Sequence, residues 1–156
     1  MVTPFDLEEF LPYRLSVTSH RVARLFAARC ATQFGLTIPE WRVLAVIGRF
    51  GTCSPTAVGE FAAMDKVKVS RAAAALVAKG FLRQSQDPND GRGRLLSMTR
   101  KGLAVHTGVV PLARGIEATL ADGLTKAEWA TLNKALRKLG AHVGELTGLD
   151  ARSSTD

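Results

Sequence analysis

The sequence predicts a mainly α protein with one small β-hairpin, an α+β fold. Three observations carry that prediction. Apolar residues recur at three- and four-residue steps over long stretches, which is the helical period. Helix-start and helix-stop residues punctuate those stretches at intervals that suit separate helices. Between Phe81 and Met98 the pattern changes to two short strand-like runs around the turn-rich segment Pro88-Asn89-Asp90-Gly91-Arg92-Gly93.

Residues 1–10 read as a short, mildly acidic arm. From Leu11 to Phe34 the pattern is helical. Leu11, Leu15, Val22, Leu25, Phe26 and Phe34 fall near one face, with Arg14, Arg21, Arg24 and Arg29 mostly elsewhere. Gly35 is a natural stop. Thr37 and Glu40 have capping-box spacing and Pro39 suits a first turn, so a second helix follows. Trp41, Leu44, Ile47 and Phe50 give its buried stripe, and Gly51 ends it. Ser54 caps a short third helix that starts at Pro55 and turns Val58, Phe61 and Ala62 inward. After a turn at Met64-Asp65, a fourth helix runs from about Lys66 to Lys79. It is rich in alanine (Ala72 to Ala75, Ala78), and Gly80 closes it.

Phe81 to Gln86 and Arg94 to Met98 are the two strands. The chain returns to helix after Thr99, with Gly102, Gly108, Pro111 and Gly115 as weak points. Pro111 lacks an amide donor and is expected to kink or interrupt this helix. The last helix opens at Thr125, which has capping-box spacing to Glu128. Trp129, Leu132, Leu136, Leu139, Val143 and Leu146 then recur at helical steps. Residues 148–156 are expected to fray.

The 156 residues suffice for one well-packed domain. A composition 46% hydrophobic and 22% charged is globular rather than disordered. Twenty-one Lys and Arg against 14 Asp and Glu give a formal net charge of +7, which suits a polyanion partner. Basic proteins that bind no nucleic acid share that balance, so the position of the charge must decide. Cys30 and Cys53 have no metal or redox spacing and sit among apolar neighbours, as packed thiols in a reducing compartment do. The three histidines are scattered, so no metal site is expected. No signal peptide is apparent, and no apolar run approaches the roughly 20 residues that span a membrane. The expected location is the cytoplasm, without membrane contact. No Ser-His-Asp, Cys-His or paired-carboxylate arrangement and no Gly-rich phosphate loop occurs, so neither an enzyme nor a cofactor is expected.

The charge is placed where nucleic acid would need it. Lys66, Val67, Lys68, Ser70 and Arg71 open the fourth helix, and the N-terminal residues of a recognition helix are those that reach base edges. Lys and Arg address guanine or phosphate, Ser addresses either, and the Val67 methyls suit a thymine methyl. Arg92 is the expected wing-tip finger for a minor groove, with Asp90 two residues away to hold it and Arg94 to meet phosphate. Gly91 and Gly93 are read as giving the turn its backbone freedom. Ser54 and Thr56 either donate to phosphate at a helix N-terminus or serve as plain caps. A helix for the major groove followed by a basic hairpin for the minor groove is a winged helix-turn-helix.

Together these residues resemble the MarR family of winged-helix regulators. The matching motifs are Val69-Ser70-Arg71, the run from Leu76 through Lys79-Gly80-Phe81 to Arg83, and Asp87-Pro88-Asn89-Asp90-Gly91-Arg92. Met98-Thr99-Arg100-Lys101-Gly102 matches the exit from the wing, with Met98 where the family more often has Leu. Val67 departs from the family's small polar residue. The resemblance spans about Leu11 to Leu146. It implies one domain over 1–156, with dimerisation helices at 11–35 and 100–147 flanking a winged-helix DNA-binding region at 37–99. It further implies a homodimer whose first and last helices intertwine. The expected interface residues are Leu11, Leu15, Trp129, Leu132, Leu136, Leu139, Val143 and Leu146; an apolar stripe of that length would otherwise stand exposed. Two-fold symmetry then sets two recognition helices about one DNA turn apart, roughly 34 Å, over a pseudo-palindromic double-stranded operator.

The family also implies an effector pocket between the dimer helices and the reading head. Tyr13, Arg14 and His20 on the first helix and Trp41 on the second are the candidates. Arg14 can grip a carboxylate with two hydrogen bonds, or instead make an intersubunit salt bridge. The Tyr13-Arg14-Leu15 segment looks like that of members that sense aromatic acids or their coenzyme A thioesters. The function implied is a sequence-specific transcriptional regulator, a repressor released by a small anionic aromatic ligand. A nonspecific architectural DNA-binding protein and a thiol-oxidation sensor using Cys30 are the alternatives.

Overall fold

The computed structural model describes residues 4–148. The expected start of the arm, residues 1–3, and most of the expected frayed end, residues 149–156, lie outside the described residues. Six helices and one hairpin follow in the order α1 (Leu11–Phe34), α2 (Ile38–Phe50), α3 (Pro55–Ala62), α4 (Lys66–Ala78), β1 (Leu82–Asp87), β2 (Asp90–Met98), α5 (Arg100–Ala121) and α6 (Lys126–Thr147). The mainly α architecture with a two-stranded antiparallel hairpin is the one the sequence predicts. The chain divides into two compact units, Met1–Ala113 and Arg114–Asp156.

In the first unit, helix ends follow local chemistry. Gly35 takes a left-handed conformation (φ 64°) and its amide closes α1 onto Ala31. Thr37, Ser54 and Asp65 cap α2, α3 and α4, each accepting the backbone amide three residues on. Only half of the expected box at Thr37 forms. The Glu40 amide donates to Thr37 Oγ1 at 3.3 Å, but the Glu40 carboxylate is taken by Lys79, 2.6 Å away.

The core lies where α2, α3, α4 and the hairpin meet. Leu36, Val43, Leu44, Val58, Val69, Leu76, Leu96 and Val109 are fully buried in it. Two residues expected inside it are on the surface instead. Phe50 and Phe61 occupy the last turns of α2 and α3 and are 45% and 50% exposed. They stack on each other with ring centroids 4.1 Å apart, which shields one face of each ring without burying either residue.

The hairpin is longer than expected. Strand pairing runs from Leu82↔Met98 to Gln86↔Arg94, and after a bulge at Gln86/Asp87 it continues to Asp87↔Asp90. Only Pro88 and Asn89 remain as the turn, where the Asn89 amide donates to Asp87 Oδ1 at 2.9 Å. Neither Gly91 nor Gly93 has a positive φ, so the turn does not use the freedom expected of them. Gly93 instead supplies space: a Cβ there would lie 3.1 Å from Asp87 Cβ and 3.2 Å from Asp90 Cβ. Cys53 adds a two-bond bridge to Leu96, at 3.0 and 2.8 Å, that anchors the α2–α3 connection to β2.

Pro111 does not interrupt α5, which runs unbroken from Arg100 to Ala121. Proline removes one amide donor, and the flanking turns continue the helix around the gap. In the second unit Thr125 and Glu128 form the full expected capping box, with Thr125 N–H donating to Glu128 Oε2 at 2.8 Å and Glu128 N–H to Thr125 Oγ1 at 3.2 Å. The Thr125 amide, and after it the Thr125 hydroxyl, which donates to the same Oε2 at 3.0 Å, hold the Glu128 carboxyl below its ordinary range. A carboxyl lowered on folding stabilises the fold above its unfolded pKa, and that contribution is lost as pH falls through the folded value. The Thr125 amide should therefore lose hydrogen-exchange protection only once the pH drops below the usual glutamate range. Glu128→Gln should flatten that dependence, and an unchanged profile would remove the box as its cause.

No residue of α6 is buried. Among the described residues, no helix is long and apolar enough to cross a membrane.

Candidate DNA-binding surface and effector residues

The helix expected to read bases has two chemically distinct faces. Val69, Ala72, Ala73 and Leu76 point into the core, and the small alanines let α4 lie close on its neighbours. Lys66, Val67, Lys68, Ser70 and Arg71 are exposed. Val67 is 59% exposed, an apolar side chain displayed among cations. Asp65 holds the helix start: its Oδ1 accepts the Lys68 amide at 2.8 Å and its Oδ2 lies 4.0 Å from Lys68 Nζ. Both partners are exposed, so this ion pair is weak.

Ser54 is half-buried and its hydroxyl oxygen accepts the Ala57 amide at 3.2 Å, a capping role, while Thr56 is exposed. On the hairpin Asp90, Arg92 and Arg94 are exposed. Arg92 sits within β2, two residues past Asp90, and so just behind the two-residue turn. Asp90 does not grip the Arg92 guanidinium. Its Oδ1 accepts the Arg92 backbone amide at 3.1 Å, a local turn bond that leaves the guanidinium outside any ion pair among the described residues. Gln86 Nε2 donates to Gly91 O at 2.6 Å and ties the strands together beside the turn. Of Lys66, Lys68, Arg71, Arg92 and Arg94, only Lys68 makes a salt bridge among the described residues.

A helix-turn-helix core, a basic exposed helix face and a basic hairpin are thus present in one unit. The sequence model of the MarR family matches residues 34–93, from the end of α1 to the middle of β2. The chain is 30% identical to a probable transcriptional regulator from Pseudomonas aeruginosa, covering 86% of this chain and 99% of that one with a TM-score of 0.77. This chain belongs to the MarR family.

Other MarR-type relatives agree. The HTH-type transcriptional repressor NicR of Pseudomonas putida is 25% identical over 138 residues, 88% of this chain and 86% of its own. The solved structure of Bordetella bronchiseptica BpsR, described for regulation of its DNA binding by 6-hydroxynicotinic acid, is 28% identical with a TM-score of 0.80. It covers 88% of this chain and 98% of that one. These relatives are transcriptional regulators rather than enzymes, and the chain's function class is that of the family, DNA-binding transcription regulation.

The candidate effector residues of this MarR-family chain are not joined to one another. Tyr13, Arg14 and His20 are exposed on α1. Trp41 is half-buried, stacked on His106 of α5 at 5.6 Å and tilted against Phe26 of α1 at 6.0 Å. No ring contact, hydrogen bond or ion pair links Trp41 to Tyr13, Arg14 or His20 among the described residues. An open recess of about 190 Å3 instead lies between the first turn of α2 and α4, lined by Thr37, Pro39, Glu40, Lys68, Arg71 and Ala72. Nothing local in the sequence marks His106 as a partner of Trp41. Gly48 is the matching signal, since a Cβ there would lie 2.4 Å from His106 Nε2.

Cys30 and Cys53 are both buried, and burial pushes both thiols up from their ordinary pKa. Oxidation proceeds through the thiolate, so both environments oppose it. The expected interface residues are displayed on their helices: Leu11, Leu15, Leu132, Leu136, Val143 and Leu146 are exposed, and Trp129 and Leu139 half-buried.

Proposed function

We propose that this MarR-family regulator binds a pseudo-palindromic operator as a homodimer, represses transcription and is released by a small anionic aromatic acid. The observation that carries the DNA reading is the set of exposed cations on α4 and β2, four of the five outside any salt bridge among the described residues. In this reading Lys66, Val67, Lys68, Ser70 and Arg71 meet the major groove. Arg92 enters the minor groove, and Arg94, Ser54 and Thr56 meet phosphate. Residues 1–156 act as one functional domain, with 37–99 as the reading head and the helices at 11–35 and 100–147 as the dimer contacts.

The effector reading is supported by Arg14, which can take a carboxylate, and by the similarity to BpsR with its response to 6-hydroxynicotinic acid. Tyr13, His20 and Trp41 complete the proposed contact set. A ligand releases DNA only if it binds the DNA-free conformation better.

The test is binding of the purified protein to DNA around its own gene, across a salt series and against unrelated DNA. Site-specific binding is expected for the unsubstituted protein. Arg92→Ala should weaken it roughly tenfold or more without altering melting behaviour. 6-Hydroxynicotinic acid should release the unsubstituted protein but not Arg14→Ala. Equal affinity for every sequence, vanishing with salt, would replace the regulator by an architectural binder. Unchanged binding by Arg92→Ala would remove the hairpin from the interface.

A further inference from the structure

The trailing end of α4 is tied to three other helices through one residue. Lys79 is the C-cap of the helix. Its Nζ donates to Gly35 O, just past the end of α1, at 2.8 Å, and to Glu40 Oε2 in the first turn of α2 at 2.6 Å. Its own carbonyl accepts from Lys101 Nζ, in the first turn of α5, at 3.2 Å. The Lys101 ammonium also lies 5.4 Å from the Phe81 ring centroid. Glu40 is only 6% exposed, so its carboxylate is a buried anion whose one ion-pair partner among the described residues is Lys79. A short, charge-assisted bond with its anion buried and its cation half-buried fixes direction better than a surface pair. The opposite end of the same helix carries Lys66, Lys68 and Arg71.

We propose that Lys79 is a positioning residue for DNA recognition: with Glu40, Gly35 and Lys101 it fixes the pitch of α4 against α1, α2 and α5, and so aims the basic face at the groove. A 13-residue helix held at its trailing end carries a small angular error to its leading end as a displacement of the side chains there. Contacts in a groove depend on such displacements. The same joint couples the reading helix to α1 and α5, so movement of either is felt at α4.

The inference rests on the regulator reading for its DNA arm only. The variant to make is Glu40→Met with Lys79→Met, because removing both partners leaves no orphaned buried charge and often preserves stability. Well below the melting temperature, its operator affinity should fall about tenfold. The slope of log affinity against log salt should not change, because Lys79 neutralises no phosphate. Lys79→Arg should retain affinity. Amide exchange should rise together in α4 and in the Gly35–Thr37 connection, a readout that needs no DNA.

Three results would overturn the proposal: affinity equal to that of the unsubstituted protein, a salt slope reduced by about one, which marks a direct phosphate contact, or a loss that merely follows the unfolded fraction. Should the double variant not fold, Lys101→Met keeps the Lys79–Glu40 pair. It should weaken binding in the same direction with the same slope, and unchanged binding there overturns the proposal as well. If the unsubstituted protein shows no site-specific binding, the regulator reading fails, and unchanged exchange in α4 would then overturn the joint separately.

Discussion

Gly102→Ala is expected to unfold the winged-helix unit under conditions where the unsubstituted protein is intact. A Cβ at Gly102 would lie 2.0 Å from Phe81 O and 2.8 Å from Phe81 C, both backbone atoms. That carbonyl cannot retreat, because it accepts the Thr99 amide at 3.1 Å while the Phe81 amide is bound to Leu76 O at 2.9 Å. Relief would therefore require the start of α5 to pull away. The Thr99 hydroxyl would lose its bonds to Gly80 O and Phe81 O, and the buried Phe81 and Leu82 would lose cover. Overpacking typically costs about 1–3 kcal/mol, and a clash with fixed backbone belongs at or beyond the upper end. The control is internal to the same helix. Gly108→Ala meets the Phe34 ring edge at 2.8 Å, a side chain that can turn, and should cost less. Gly115→Ala meets nothing within 4 Å and should gain up to about 1 kcal/mol of helix propensity. Urea midpoints should rank in that order, and a midpoint for Gly102→Ala equal to that of the unsubstituted protein would refute the close joint.

The same glycines show what was legible in the sequence. Glycine's poor helix propensity marks them as weak points of a helix, but at Gly102 and Gly108 backbone or ring comes too close for a side chain. Helix boundaries were legible because caps are local: Gly35, Ser54 and Thr125 act within four residues of themselves. Thr37–Glu40 has the same spacing as Thr125–Glu128, yet only the second pair closes its box. Lys79, 39 residues away, competes for the Glu40 carboxylate, and no local pattern announces it. Helical period puts Phe50 and Phe61 inside because it assigns a face; at the last turn of a helix that face has run past the core. The cations of the candidate surface were legible from sequence, but their restraints were not. Asp90 holds the backbone of Arg92 rather than its charge, and Asp65, read as a turn, caps the helix that carries Lys66 to Arg71. The Cys53–Leu96 bridge is too short to leave an alternating pattern.

In the proposed homodimer, Leu136→Asp is expected to separate the subunits and to take high-affinity operator binding with it. Helix α6 has 22 residues, an apolar stripe and no buried residue. Leu136 is 47% exposed and Leu146 73%, while Leu132 and Val143 on the same stripe are also open. An isolated helix of this kind is stabilised chiefly by covering such a stripe. Leu11 and Leu15 on α1 are open as well and supply surface of matching chemistry. If a second copy covers Leu136, a carboxylate there must be desolvated without a partner, which is costly enough to split the interface. Sedimentation at micromolar concentration should then show monomers, and the melting temperature should lose its dependence on protein concentration. Operator affinity should fall by orders of magnitude, because the two heads no longer act at a high effective concentration. Lys138→Asp provides the comparison: it changes charge by more but lies on the opposite side of α6, and it should remain dimeric. A Leu136→Asp protein that stays dimeric would leave the α6 stripe without its proposed occupant. Loss of the dimer in both variants would mean that net charge, rather than the covered stripe, governs association.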